Sequence, residues 1–329
     1  MRIAFVGKGG SGKTTLSGLF ALHLVRSGAP VVAIDADINQ HLGTALGLDE
    51  DEPCEAVPLS TRLTEIKEYL RGDNPRIPSA EVMVKTTPPG SGSRLLRLLG
   101  TDPVHTRHIR EVAGVGLMTT GVFAEEDLGV ACYHSKLGAV ELYLNHLVDD
   151  PGEYVVVDMT AGADSFASGL FTRFDMTFLV AEPTRKGVSV YRQYKDHATE
   201  FGVPLAVVGN KVTGEDDRLF LKEHIGDDLL ACFGHSDWVR AREQGRHTGD
   251  LEPEHRLALD ELRTAVDSRT KDWETFQRQA IEFHLRNAHA WANRSTGQDL
   301  STQVDPDFRH GPTALPGNHA PEAHAGTVG

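Results

Sequence analysis

The chain has little cysteine and no long apolar run, and these two absences exclude several classes of protein. Its three cysteines are scattered over 329 residues, so they form no disulfide framework of the kind found in small secreted domains. No segment approaches the roughly 20 apolar residues that a transmembrane helix requires. Residues 1–6 lead directly into an apolar strand pattern, from which we expect no signal peptide. The sequence therefore predicts a soluble, cytoplasmic protein.

Basic residues are also in the minority. Lys and Arg number 33 against 47 Asp and Glu, which gives a formal charge of −14 and an isoelectric point near 5.6. The chain thus lacks the strongly basic composition typical of proteins that bind DNA, RNA or anionic lipid, although a local basic patch stays compatible with it. We therefore expect neither DNA nor a membrane to be the main partner.

What the sequence does contain is a complete phosphate-binding motif near its start. The template G-x-x-x-x-G-K-[ST] is met directly after the apolar run at residues 3–6, and the alternative is a glycine-rich turn that only opens a helix. Glycines let backbone N–H groups turn toward a phosphate, while Lys13 adds charge and the Thr14 hydroxyl is suited to Mg²⁺. We therefore predict that a nucleoside triphosphate is bound by Gly7, Gly9, Gly10, Ser11, Gly12, Lys13, Thr14 and Thr15.

Short apolar runs alternate with amphipathic stretches over most of the chain. Strand patterns occur at 3–6, 31–34, 115–120, 154–157, 176–181, 205–208 and 229–233, with helical patterns at 14–27, 61–70 and 136–147. Unbroken apolar strands between helices indicate an α/β fold, a P-loop NTPase with a mostly parallel central sheet and helices on both faces. We expect this domain to span residues 1–250, with an irregular insertion rich in proline and glycine at 72–93.

The remaining residues are predicted to form a helical extension and a tail. Apolar residues recur at helical spacing in the extension at 251–294, where acidic residues interrupt any basic face and so argue against a membrane-binding helix. From residue 295 onward prolines and glycines accumulate while apolar residues thin out. We therefore expect residues 295–329 to be disordered.

Three polar stretches follow predicted strands, and parallel strands bring their last residues to one edge of the sheet. Asp158 follows an apolar run and has the pattern of a carboxylate that holds Mg²⁺, with helix capping as the alternative. One of Asp35 and Asp37 is placed to orient an attacking water, again with capping as the competing role. Asn210 and Lys211 end a later strand, and the Asn side chain suits the edge of adenine because it both donates and accepts.

The residue that follows the first glycine makes this motif resemble that of one particular protein class. With Lys8, the loop resembles the deviant P-loop of the MinD/ParA class of ATPases, which implies that Lys8 reaches the nucleotide held by the partner subunit of a dimer. The resemblance also favours Asp37 as the residue that orients water. Val212 follows Asn210 and Lys211 where related GTPases have a guanine-reading aspartate, which favours ATP over GTP.

Within that class, the chain resembles the carbon monoxide dehydrogenase maturation ATPases, which insert nickel. The likeness covers roughly residues 1–245. Four stretches carry it: the P-loop, residues 35–42, residues 129–134 together with 158–162, and residues 182–184 together with 208–211. The family's Cys-x-Cys pair is here Cys132-Tyr133-His134, so the resemblance implies a Zn²⁺ or Ni²⁺ site between two subunits. The alternative is a buried cysteine beside a surface histidine. Ile38 and Thr160 also replace the family's residues in two switch segments.

Together these features predict an ATP-hydrolysing switch that acts as a homodimer with Mg²⁺. Its unidentified client would be a metalloenzyme that awaits its metal. Two alternatives remain: a positioning or partition ATPase bound to a scaffold, and a nucleotide sensor that binds ATP but barely turns it over.

Overall fold

The computed structural model describes residues 1–37, 39–48, 56–121, 133–160, 166, 169–246 and 249–315. Eight of the strands in these residues form one sheet, and two short ones pair separately. The strands are β1 (Arg2–Gly7), β2 (Val31–Ala36), β3 (Leu96–Arg97), β4 (Arg110–Val112), β5 (Val115–Thr119), β6 (Leu147–Val148), β7 (Tyr154–Met159), β8 (Met176–Ala181), β9 (Leu205–Gly209) and β10 (Leu229–Cys232).

The central sheet has the order β10-β9-β8-β1-β7-β2-β5-β4, and all its pairings are parallel except that of β4 with β5. Every residue of β1, β2, β7 and β8 is buried, as expected where helices cover both faces of a parallel sheet. The predicted α/β fold with a mostly parallel sheet is confirmed.

The helices divide between the two faces of the sheet. They are α1 (Lys13–Arg26), α2 (Leu42–Leu46), α3 (Leu63–Arg71), α4 (Pro103–His108), α5 (Tyr133–His146), α6 (Arg185–Phe201), α7 (Glu215–Ile225), α8 (Asp237–Glu243), α9 (Pro253–Asp267), α10 (Trp273–Asn287) and α11 (Asn293–Thr296). One buried cluster centres on Phe5, Phe20 and Phe178, whose rings lie 5.3–5.9 Å apart. A second cluster fills the opposite face. In the described part of the chain no helix meets the length and apolarity needed to cross a bilayer.

The C-terminal residues pack against both clusters. Leu259, Leu262 and Val266 of α9 belong to the cluster of Phe5, whereas the helical turn at Ala288–Ala292 belongs to the other. Between α9 and α10 the chain passes the amino edge of the sheet, where Lys271 Nζ lies 2.6 Å from a carboxylate oxygen of Asp149.

The expectation of disorder from residue 295 is wrong for residues 295–315. Leu300, Gln303 and Leu315 are buried, and Gln303 Nε2 donates to the Val82 carbonyl over 3.0 Å. Few apolar residues are needed here because side-chain amides and carboxylates bond to the backbone of the insertion at 72–93, as Asp305 does with Ser91 N at 2.9 Å. Residues 316–329 lie outside the described part of the chain.

Candidate nucleotide-binding site

The P-loop joins the end of β1 to the start of α1. Gly7, Gly10 and Gly12 have φ values of 147°, 79° and 97°, which side-chain-bearing residues rarely adopt. A Cβ at Gly7 would lie 2.5 Å from the Val180 carbonyl oxygen of the neighbouring strand. These glycines let the loop curl over the positive N-terminal end of α1, the arrangement that binds phosphate.

Asn210 and Lys211 hold the loop from the side. Asn210 Nδ2 donates to the Ser11 carbonyl over 2.7 Å, and Lys211 Nζ donates to the Gly10 carbonyl over 2.6 Å. Lys211 has φ = 60°, an uncommon value for a residue other than glycine, and this turn directs both side chains onto the loop. A Cβ at Gly12 would lie 2.2 Å from Asn210 Nδ2, so Asn210 fills the space that Gly12 leaves. The prediction that Asn210 reads adenine stays a prediction, and its amide nitrogen already has a partner.

Thr14 and Asp158 meet beside the loop as the sequence predicts for a Mg²⁺ site. Thr14 Oγ1 donates to Asp158 Oδ2 over 2.6 Å. The second carboxylate oxygen of Asp158 is buried and has no hydrogen-bond partner among the described residues. Burial, with a contribution from nearby Asp37, raises the pKa of Asp158 to about 7. Hydroxyl and carboxylate oxygens are the donors Mg²⁺ prefers, and an unpaired buried oxygen fits a cation at this position.

Asp35 and Asp37 occupy the end of the neighbouring strand β2. Asp35 is buried, and its two carboxylate oxygens accept hydrogen bonds from Asp37 N at 3.2 Å and from Leu42 N at 2.8 Å. Burial and the charge of Asp158 raise the pKa of Asp35 well above its usual value. Asp35 therefore shapes the turn that carries Asp37 and binds the first backbone N–H of α2, which is the capping role that the sequence left open as the alternative.

The side chains assigned to catalysis differ in their exposure. Lys13 is buried, and its Nζ lies 3.9 Å from Asp37 Oδ2, so the loop cation and the water-orienting candidate face each other. Lys8 is exposed, and its side chain has no hydrogen-bond or ion-pair partner in the described residues. An exposed, unpaired lysine beside a phosphate loop is available to a second subunit.

A cavity of about 420 Å³ adjoins the P-loop on the side of Asn210. Its walls include Thr15 of α1, Phe233 and His235 after β10, and Glu243 of α8, whose Oε1 accepts from Thr15 Oγ1 at 3.3 Å. The cavity is partly apolar and lies next to the loop, as a nucleobase pocket must. Of these residues, only Thr15 was predicted from the sequence; Phe233, His235 and Glu243 were not. The N-cap signal at Ser236, whose hydroxyl accepts from Val239 N, could have located the helix that bounds the cavity.

Several predicted residues cannot be placed in this site. Cys132, Ile38 and residues 161–162 lie outside the described part of the chain, and of His134 the structure gives only its place in the first turn of α5. Over the residues whose side chains are described, no three His, Cys, Asp or Glu residues form a group suited to a metal ion.

Comparison with known proteins shows which family the sequence matches. The family described as the CobQ/CobB/MinD/ParA nucleotide binding domain matches residues 3–282. An uncharacterised ATP-binding protein of Methanocaldococcus jannaschii is 29% identical over 244 residues, which cover 73% of this chain and 87% of that protein. The carbon monoxide dehydrogenase accessory protein CooC of Rhodospirillum rubrum is 27% identical over 256 residues, or 77% and 91% of the two chains.

Two solved structures show the same fold at low sequence identity. The cell division ATPase MinD of Pyrococcus furiosus has a TM-score of 0.52 at 16% identity, with 80% of this chain and 99% of that chain covered. A ParA family ATPase of Chlorobium tepidum has a TM-score of 0.51 at 12% identity, with 85% and 97% covered. At such low sequence identity, these two structures show that the fold is shared and nothing more.

Proposed function

The chain belongs to the CobQ/CobB/MinD/ParA nucleotide-binding family, and on this premise we propose that it is a Mg²⁺-dependent ATPase that acts as a homodimeric switch. One observation carries the proposal. Lys13, Thr14, Asp37 and Asp158 meet at one edge of the sheet, where Asp158 keeps a buried oxygen without a partner in the described residues. Such a site suits a cation and a polyphosphate together.

In the proposed reaction, this chain's residues bind and orient the reactants. P-loop amides and Lys13 bind the β- and γ-phosphates, while Thr14 and Asp158 hold Mg²⁺, which withdraws charge from the phosphate oxygens when bound. Asp37 accepts a hydrogen bond from the attacking water. The new bond joins the water oxygen to the γ-phosphorus, a proton of that water passes to the Asp37 carboxylate, the bond from the phosphorus to the bridging oxygen breaks, and ADP leaves.

Lys8 completes the proposed site from the other subunit. Its exposure and lack of a side-chain partner in the described residues support a role outside its own protomer. A cation supplied in trans stabilises the charge that develops on the transferred phosphoryl group, as arginine fingers do. Hydrolysis would therefore require a dimer, and phosphate release would relax the turn that contains Asp37.

The biological role we propose is the maturation of a metalloenzyme. Support comes from the relative of Rhodospirillum rubrum, whose name describes it as an accessory protein of carbon monoxide dehydrogenase. Cys132 and His134 are two good ligands for Zn²⁺ or Ni²⁺, and two copies of the pair in a dimer provide four ligands. The client would receive or release its metal when ATP is hydrolysed.

The test compares ATP turnover with and without Mg²⁺ in the wild type and in Asp37→Asn. We expect the variant to bind ATP and to lose turnover by about a hundredfold or more, the usual effect of removing a general base. Asp196→Asn, which changes an exposed aspartate of α6 in the same way, is the matched control. Equal turnover in all three proteins would refute the catalytic assignment.

The maturation role needs a separate measurement. The metal content and molecular mass of the purified protein are measured with and without ATP, for the wild type and for Cys132→Ala. Loss of bound metal together with loss of the dimer in the variant supports the role. A metal-free monomer in every condition contradicts it.

A further inference from the structure

The short helix α8 lies between the cavity beside the P-loop and the helix α2. On one side, Val239, Arg240 and Glu243 line the cavity, and Glu243 accepts the 3.3 Å hydrogen bond from Thr15. A nucleobase in this cavity would therefore contact α8 directly. If nucleotide binding moves or orders α8, the contacts on the other side of α8 transmit that change to α2.

The other side of α8 is bonded to α2 through Arg242. The guanidinium Nη2 donates to the carbonyl of Leu46, the last residue of α2, over 2.5 Å. A Cβ at Gly47 would lie 2.4 Å from the same nitrogen, so the glycine both ends the helix at φ = 106° and admits the arginine. Arg242 also lies 5.3 Å from the Trp238 ring, which keeps the side chain in place. A cation at this C-terminus also complements the helix dipole.

The opposite end of α2 is bonded to the turn that carries Asp37. Leu42 N donates to Asp35 Oδ2 over 2.8 Å, and Asp37 N donates to Asp35 Oδ1 over 3.2 Å. Backbone hydrogen bonds from Ala45 N to the His41 carbonyl and from Leu48 N to the Gly43 carbonyl, both 3.0 Å, join the two ends of α2, so a shift at Leu46 is passed to Leu42 and then to Asp35. Contacts therefore run without interruption from the cavity, through Arg242 and α2, to Asp37.

We propose that Arg242 is a positioning residue that couples occupation of the base cavity to the placement of Asp37. The inference deepens the proposed function and rests on it, because it assigns the cavity to the base of ATP. A nucleotide would then be hydrolysed faster than a bare polyphosphate, since only the nucleotide holds α8 and, through it, α2. Arg242 itself touches neither the phosphates nor the water.

Hydrogen–deuterium exchange at residues 39–48 tests the coupling without relying on turnover. In the wild type we expect Mg²⁺ with AMPPNP to protect these amides more than Mg²⁺ with tripolyphosphate, which has no base. In Arg242→Gln the two ligands should give equal protection while AMPPNP still binds. Arg242→Lys, which keeps a donor for the Leu46 carbonyl, should recover part of the difference. Arg246→Gln is the control, because this exposed guanidinium bonds only to Gln244 in the described residues.

Turnover gives a second readout. Arg242→Gln should lower kcat for ATP by about tenfold with KM changed little, a size typical of coupling residues, and should leave tripolyphosphate hydrolysis unchanged. A merely structural role would raise exchange at 39–48 by the same factor with and without ligand, and that result overturns the inference. Equal protection by both ligands in the wild type overturns it as well.

The results that would refute the proposed function differ from those that would refute the coupling through Arg242. If the wild type binds AMPPNP but hydrolyses no ATP, the ATPase proposal falls while the exchange comparison still decides the coupling. If the wild type binds neither ligand, the nucleotide-binding proposal and the inference are both refuted.

Discussion

Replacing Asn210 with alanine separates two roles for this side chain. The structure gives Asn210 Nδ2 a 2.7 Å hydrogen bond to the Ser11 carbonyl of the P-loop. One such bond contributes about 1 kcal/mol, which corresponds to roughly fivefold in Kd. If Asn210 acts by holding the loop, the loss applies to every ligand whose phosphates the loop binds. We therefore expect Asn210→Ala to weaken ATP, GTP and tripolyphosphate by a similar factor.

Isothermal titration of the three ligands with Mg²⁺ measures this directly. Thr213→Ala is the matched control, because Thr213 lines the same cavity but donates its hydroxyl to Asp217 rather than to the loop. The control should leave tripolyphosphate binding unchanged. Weaker binding of ATP alone in Asn210→Ala, with tripolyphosphate unaffected, would refute the loop-holding role and favour base recognition.

Two further predictions concern the stability of the fold. Asp149 is buried and forms ion pairs with Arg2 Nε at 2.8 Å and Lys271 Nζ at 2.6 Å. Asp149→Asn should therefore lower the free energy of unfolding, measured in urea, by about 3–5 kcal/mol. A loss below about 1 kcal/mol would contradict the assigned ion pairs. Burial and nearby cations such as Arg2 hold the pKa of His310 well below 6.5, so below pH 6.5 the unfolded chain binds a proton that the folded chain does not. Stability should therefore fall as pH drops from 6.5 to 5, by up to about 1.4 kcal/mol per unit from this group, and His310→Phe should flatten that slope.

The sequence predicted the sheet and the P-loop well because both depend on local signals. Apolar runs such as that of β7 are buried on both faces, and the glycines of the loop have the backbone angles that their spacing indicates. The strand-end carboxylates were also found, since parallel strands must end at one edge. These features follow from periodicity and motif spacing alone.

The cavity walls and the C-terminal residues could not be predicted in the same way. Phe233, His235 and Glu243 come to line one cavity beside the P-loop only through the tertiary fold, which no local pattern encodes. Residues 295–315 are held mainly by polar contacts such as that of Gln303 with Val82, and composition cannot distinguish a polar segment with partners from a disordered one. Their order depends on a surface that only the complete fold creates.

We propose that each ATPase site is completed by a second subunit, and a mixture of two inactive variants shows whether it is. Lys8→Ala and Asp37→Ala should each abolish turnover. In a mixed dimer, one of the two sites has Asp37 from one protomer and Lys8 from the other, so it is intact. With free subunit exchange, half of the dimers are mixed, and equal amounts of the variants should recover roughly a quarter of wild-type turnover. No recovery in mixed dimers, verified by two affinity tags, would refute the role of Lys8 at the partner's site.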